Sequence, residues 1–298
     1  MKAHKIFGRL HSLMIASLAT SFVFVVSGCY PDETLNVPIT PSDAELTTAL
    51  DIRIDEEFRA EYGMAIRYKF VDRFIQPTQR VAPPKLSVVD PMLDFIQNFW
   101  IDPFLEVQNG EAYFRAHVPA EVVFLGGLIF NDDGTVTLGT ADAGAQITFT
   151  DVNSIDPNDD AWRSLQLQTV YHEFAHIVHQ KHKLPTDFEK IAQTGYTSAG
   201  SWFTLSDEEA LMRGFVTPYA TSSPNEDFAE TVAVFLQDPD FIANFMTDEP
   251  SCATAECEER NQGRELIRQK LTTIIEHYKK VVSVDLNSVR AAVQARLN

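Results

Sequence analysis

The chain has 298 residues, and its 42 acidic residues outnumber the 24 lysines and arginines, which gives a formal net charge of −18. A surface with this charge repels phosphate groups, so the composition disfavours nucleic-acid binding and direct electrostatic attachment to anionic lipid headgroups. The length is sufficient for a complete hydrophobic core, and the sequence contains no evident internal repeat or low-complexity tract.

The first 28 residues have the composition of a secretory leader. Three basic residues precede an apolar stretch at 13–26, which is too short and wrongly flanked for a membrane span. This stretch ends in Val-Ser-Gly before Cys29, a run that resembles the lipobox of bacterial lipoproteins. The resemblance implies a lipidated Cys29 and a lipid anchor in the cell envelope, with the outer membrane as the expected site. The alternative is an ordinary secretory signal with an incidental cysteine.

The remaining chain is expected to comprise a proline-containing tether at 29–42 and one domain at 43–298. Hydrophobic periodicity predicts a helix at 43–62, and Asp90 is expected to cap a second, short helix that buries Phe95, Phe99 and Trp100. The predicted strands lie at 64–71, 121–130, 135–140 and 146–152, with a hairpin turn at 131–134.

From Trp162 onward the pattern is almost wholly helical. Strands followed by helices predict an α+β fold, in which an N-terminal lobe with a small mixed sheet at about 43–160 precedes a mostly helical lobe at 161–298.

A His-Glu-x-x-His motif at 172–176 is the strongest chemical signal in the chain. On a helix, His172 and His176 lie one turn apart with side chains about 6 Å from each other, so one metal ion can bridge them. Glu173 can then reach a water molecule beside the metal without binding the metal itself. The motif therefore predicts a catalytic zinc site, and the alternative is a chance spacing of three polar residues.

A catalytic zinc site needs a third protein ligand, and the sequence offers two candidates. His182 stands at the spacing of the metzincin motif, but position 179 is His where that motif has the glycine that turns the chain back. A continuous helix would place both His179 and His182 too far along its axis to converge with the first two histidines. The distant candidate is Glu226, which shares a helix face with Glu230 after Ser223 and Pro224, two residues that favour a helix start.

The motif with Tyr219 and Glu226 resembles the gluzincin site of the anthrax lethal factor metallopeptidase domain. Together with the lipobox it resembles zinc metallohydrolase lipoproteins associated with outer-membrane nutrient import. The resemblance implies a zincin-like fold, one Zn²⁺ bound by His172, His176 and Glu226, and Glu173 as general base. It also implies a catalytic Tyr219 that donates a hydrogen bond to the oxyanion.

Glu230 is a candidate to accept a hydrogen bond from a ligand histidine. The predicted activity is peptide-bond hydrolysis, with peptide or protein substrates, membrane contact through the lipid, no nucleic acid, and import components as possible partners. Two alternatives stay open, namely a non-catalytic capture lipoprotein of an import system and a zinc amidase acting on a non-peptide substrate.

Two further cysteines, Cys252 and Cys257, follow Pro250 in a segment that resembles a loop. Outside the cytoplasm a local disulfide is the simplest interpretation of this pair, and two free thiols are the alternative.

Overall fold

The computed structural model describes residues 48–130, 136–137, 141–142, 146–197 and 200–297. The predicted leader, Cys29 and the tether lie outside the described residues, as do the predicted turn at 131–134 and part of the strand at 135–140. Within the described residues, no helix combines the length and apolar composition that a membrane crossing requires.

The protein has a mixed α+β architecture, as predicted, in which helices dominate. The α-helices are α1 Ala49–Ile54, α2 Val89–Ile96, α3 Asp102–Leu105, α4 Gly110–His117, α5 Asp160–His182, α6 Asp207–Met212, α7 Pro224–Gln237, α8 Ala255–Val281 and α9 Leu286–Leu297. Wider π-helical turns lie at Asp55–Ala60, Gln97–Ile101 and Ile242–Met246. Short 3-10 helices lie at Asp72–Phe74, Leu86–Val88, Val152–Ser154, Phe188–Lys190, Gln193–Gly195, Trp202–Thr204 and Tyr219–Ser222.

The described strands are short and form a four-stranded sheet and a separate pair. They are β1 Ala65–Arg67, β2 Glu121–Phe124, β3 Ile129–Phe130, β4 Val136–Thr137, β5 Ala141–Asp142 and β6 Gln146–Phe149. The sheet order is β1-β2-β6-β5, with β1, β2 and β6 parallel and β5 antiparallel to β6, while β3 and β4 pair antiparallel. The predicted small mixed sheet is therefore present.

The predicted strand at 121–130 is wrong in its length, because the chain leaves the sheet after β2. Gly126 donates its backbone N–H to Ala82, and a β-carbon at Gly126 would lie 2.1 Å from the Pro83 oxygen. This close approach of two backbone segments requires glycine and ends β2, so that β3 begins afresh at Ile129.

One large cluster of buried hydrophobic residues includes side chains from both predicted lobes, from Ile54 to Val293. At its centre, Phe174 of α5 packs against an aromatic group that includes Trp100, Phe104 and Phe114, with ring centroids 5.3–5.6 Å apart. Aromatic side chains bury large apolar areas, so this packing holds α5 firmly on one side and leaves its opposite side for polar groups. The division into two lobes stays a prediction.

Cys252 and Cys257 form a disulfide immediately before and within the first turn of α8. The predicted local bond is therefore present in the structure.

Candidate metal centre

The centre is built first from α5, a 23-residue helix that begins where the Asp159 side chain accepts hydrogen bonds from two backbone N–H groups. Helical periodicity places His172 and His176 on one face, with their rings 4.6 Å apart and their Nε2 atoms 2.9 Å apart. Both side chains are nearly buried, and the ligand atoms of His172, Glu173 and His176 all lie within 4.8 Å of one another.

The third member of the centre comes from α7. Among the described elements, α5 and α7 are the pair that packs together most extensively. Ser223 caps α7 by accepting the Glu226 backbone N–H, and Pro224 occupies the first turn, as the sequence predicts. Glu226 Oε2 lies 3.1 Å from His172 Nε2 and 3.2 Å from His176 Nε2. The distant candidate therefore converges with the two histidines.

These three donor atoms form a triangle with sides of 2.9, 3.1 and 3.2 Å. Zinc bound tetrahedrally to nitrogen and oxygen at 2.0–2.2 Å separates its ligand atoms by about 3.3–3.5 Å. The triangle is slightly tighter than this ideal, and its two imidazoles and one carboxylate are donors that zinc prefers. The donor types and the spacing of His172, His176 and Glu226 thus fit a zinc site.

A carboxylate behind His172 fixes the orientation of that ring. Glu230 is 6% exposed, and its Oε1 accepts the hydrogen on His172 Nδ1 at 2.7 Å. Thr217 Oγ1 and Gln168 Nε2 also donate to this carboxylate, at 2.6 and 2.9 Å. Because a carboxylate only accepts, a neutral His172 ring carries its one hydrogen on Nδ1, and its Nε2 lone pair then faces the triangle. The sequence identified Glu230 for this position but not Thr217 or Gln168.

The second histidine of the triangle has an equivalent partner, His179, which lies three residues further along α5. His176 Nδ1 lies 2.7 Å from His179 Nε2. Burial and the neighbouring His176 lower the pKa of His179 to about 4, so its neutral Nε2 can accept the His176 hydrogen. In the sequence, the signal for this contact is the i, i+3 spacing of His176 and His179, which places the two side chains next to each other on one helix.

The two carboxylates beside the histidines favour positive charge at the centre. Burial disfavours a charged His172, but the hydrogen bonds with Glu226 and Glu230 outweigh burial and raise the pKa of His172 to about 10. Burial also disfavours the charged form of Glu226, but hydrogen bonds to the two histidines outweigh burial and hold the pKa of that carboxyl well below its usual value. Burial raises the pKa of the Glu173 carboxyl above its usual value.

Tyr219 lies at the open side of the centre, in the short helix Tyr219–Ser222. Its ring centroid is 5.9 Å from that of His172, and 37% of the residue is exposed. Burial of the rest of the side chain, together with the charges of Glu226 and Glu173, raises the pKa of the Tyr219 hydroxyl. The hydroxyl is therefore protonated at neutral pH and can donate a hydrogen bond.

The alternative third ligand, His182, is not brought to the centre. Helix α5 continues through His179 to His182 and ends at Lys183, so no glycine turn carries His182 back. The His182 ring instead contacts His117 at the end of α4, with their Nε2 atoms 2.9 Å apart. The unbroken helix excludes the metzincin arrangement for the geometric reason that the sequence indicated.

A protein-family comparison matches residues 43–287 to a model described as "putative zinc-binding metallo-peptidase". A crystal structure described in the same words, from Bacteroides caccae ATCC 43185, is similar to the chain with 29% identity and a TM-score of 0.67. The similarity covers 84% of this chain and 91% of that one. No curated protein matches the chain. Because the family match spans most of its length, the chain belongs to the family of putative zinc-binding metallo-peptidases.

Proposed function

We propose that the protein is a zinc-dependent peptidase of the gluzincin type, which hydrolyses peptide bonds at the centre formed by His172, His176 and Glu226. The observation that carries this proposal is the convergence of three donor atoms from two helices, with the buried Glu173 carboxyl beside them. A purely structural zinc site is closed by four protein ligands and has no use for such a carboxyl.

The roles of the residues follow from their positions. Zinc, when bound, would lower the pKa of water and polarise the substrate carbonyl. The Glu173 carboxylate takes a proton from the attacking water and passes it to the amine that leaves. The Tyr219 hydroxyl donates a hydrogen bond to the oxygen that becomes negative in the transition state. Glu230 and His179 hold the two ligand rings so that each Nε2 lone pair points to the same place.

Two substitutions separate metal binding from chemistry. Glu173→Gln should keep zinc and lose hydrolysis, because an amide has no proton-accepting carboxylate. Glu226→Ala should lose zinc, because it removes one of three ligands. Glu276→Ala, which changes an exposed glutamate on α8, serves as the control and should alter neither property. Metal content by elemental analysis and cleavage of a broad peptide library are the two measurements.

The outcomes discriminate between the candidate functions. Stoichiometric zinc in Glu226→Ala would overturn the ligand assignment. Zinc binding without any cleavage of peptides would favour a capture protein or an amidase acting on another substrate. Hydrolysis that survives in Glu173→Gln would overturn the assignment of the base.

We also propose that Cys29 carries a lipid that anchors the protein in the cell envelope. The support is the Val-Ser-Gly-Cys sequence after an apolar leader. Metabolic labelling with a fatty-acid analogue should modify the wild-type protein and not Cys29→Ser, and labelling of both would contradict the proposal. A partnership with outer-membrane import components rests on the family resemblance of the lipobox and zinc motif together.

A further inference from the structure

A row of three aromatic side chains extends outward from the metal centre. The ring of Tyr219, which contacts His172, lies 5.0 Å from that of Trp202 in an edge-to-face arrangement. The Trp202 ring in turn lies 6.0 Å from that of Phe203, again edge to face. These contacts form one continuous series of rings that starts at a predicted zinc ligand and ends in solvent.

The exposure of these rings is unusual for this protein. Among the described aromatic residues, only Phe130, Phe203 and Tyr219 are exposed, and two of these three belong to the row. Phe203 is 66% exposed, although most other phenylalanines are buried in the core. An exposed group of large apolar side chains next to a reactive centre is typical of a ligand-binding surface.

The backbone of Trp202 and Phe203 forms the short helix Trp202–Thr204, in which the Leu205 N–H donates to the Trp202 carbonyl at 3.0 Å. Directly after this helix, Ser206 and Glu209 form reciprocal capping bonds at the start of α6. The two rings are therefore carried on hydrogen-bonded backbone.

Distance along the row limits which substrate residues can reach it. Centroid separations of 5.9 and 5.0 Å place the Trp202 ring at most about 11 Å from the ring of His172. An extended peptide advances about 3.3–3.6 Å per residue, so this distance corresponds to about three residues. A substrate side chain within three residues of the scissile bond can thus lie against Trp202.

We propose that Trp202 and Phe203, together with the ring face of Tyr219, form a subsite that binds an apolar or aromatic side chain of a peptide substrate, within about three residues of the scissile bond. This inference rests on the proposed peptidase function and specifies the class of substrate that the site takes. Three rings of this kind stabilise an apolar side chain by area burial and by edge-to-face contacts.

The test uses full-length protein and peptides that differ by Phe, Leu or Ala at single positions around the cleaved bond. Trp202→Ala and Phe203→Ala should lower kcat/KM for the Phe and Leu peptides by about tenfold. The loss should appear mainly in KM, because the subsite binds the substrate and the transition state equally. The kcat/KM values for the corresponding Ala peptides should stay unchanged. Trp202→Phe, which keeps an aromatic ring, should retain most of the preference for Phe and Leu peptides over Ala peptides.

Leu86→Ala provides a matched control, since Leu86 is an apolar residue that is 71% exposed on the helix Leu86–Val88. An equal loss on Phe, Leu and Ala peptides, or no loss at all, would overturn the subsite.

A second experiment measures the affinity of labelled Phe and Ala peptides for the zinc-loaded Glu173→Gln protein, which should bind substrate without cleaving it. A Phe preference that disappears in Trp202→Ala, without peptide hydrolysis by wild type, would refute the peptidase function and retain the subsite. Binding without any Phe preference would refute the subsite alone.

Discussion

Replacement of Glu230 by alanine tests how strongly zinc binding depends on a carboxylate outside the ligand triangle. The substitution removes the acceptor for His172 Nδ1 at 2.7 Å and leaves the Thr217 hydroxyl and the Gln168 amide without that partner. The His172 ring can then rotate and can carry its hydrogen on either nitrogen, so the Nε2 lone pair is no longer fixed. Partners of this kind contribute about 10–100-fold to metal affinity, or roughly 1.4–2.7 kcal/mol. We expect the zinc dissociation constant to rise by this factor.

Competition with a chromogenic chelator measures the dissociation constant directly and independently of activity. Glu230→Gln should lose less affinity than Glu230→Ala, because its amide oxygen still accepts from His172 while its NH₂ group faces Thr217. Gln168→Leu, which leaves the bond between His172 and Glu230 intact, should change the constant by less than about threefold. A Glu230→Ala protein that is folded by circular dichroism and binds zinc as tightly as wild type would refute the reasoning.

Three further predictions concern stability and are measured by denaturant unfolding. Lys270→Met should lower the free energy of unfolding by about 3–5 kcal/mol, because Lys270 and Asp227 form a fully buried ion pair at 2.7 Å and the substitution leaves one charge unpaired. A decrease below about 1 kcal/mol would contradict this. Gly263→Ala should lower the free energy of unfolding by at least about 1–3 kcal/mol, because the new β-carbon would lie 1.7 Å from the Leu211 carbonyl oxygen and force α8 away from α6. Unchanged stability would exclude this close packing of the two helices. Arg260 and Arg264 lower the pKa of Glu249 from 4.5 to about 2. The contribution of ionised Glu249 to the stability of the fold is therefore complete above pH 4.5 and is lost as the pH falls towards 2. The stability difference between wild type and Glu249→Gln should therefore shrink over that interval, and a difference independent of pH would refute the assignment.

Local chemistry was readable from the sequence wherever it depends on neighbours along the chain. Helical spacing alone brings His172 and His176 within reach of one metal ion, and Glu173 follows from its place beside the first histidine. The start of α7 was equally visible, because a serine cap followed by proline is a local signal. The order of strands and helices was sufficient for the mixed α+β class.

Tertiary structure decided which residues complete the centre. Glu226 is separated from His176 by 50 residues in sequence, and only the packing of α5 against α7 brings its oxygen to 3.2 Å. The same packing places Gln168 on the Glu230 carboxylate, and the segment before Tyr219 adds Thr217, although neither residue belongs to a recognisable motif. Strand ends such as the one at Gly126 also depend on which backbone lies opposite. Periodicity records the face that a segment buries, whereas the identity of its partner is decided by long-range packing.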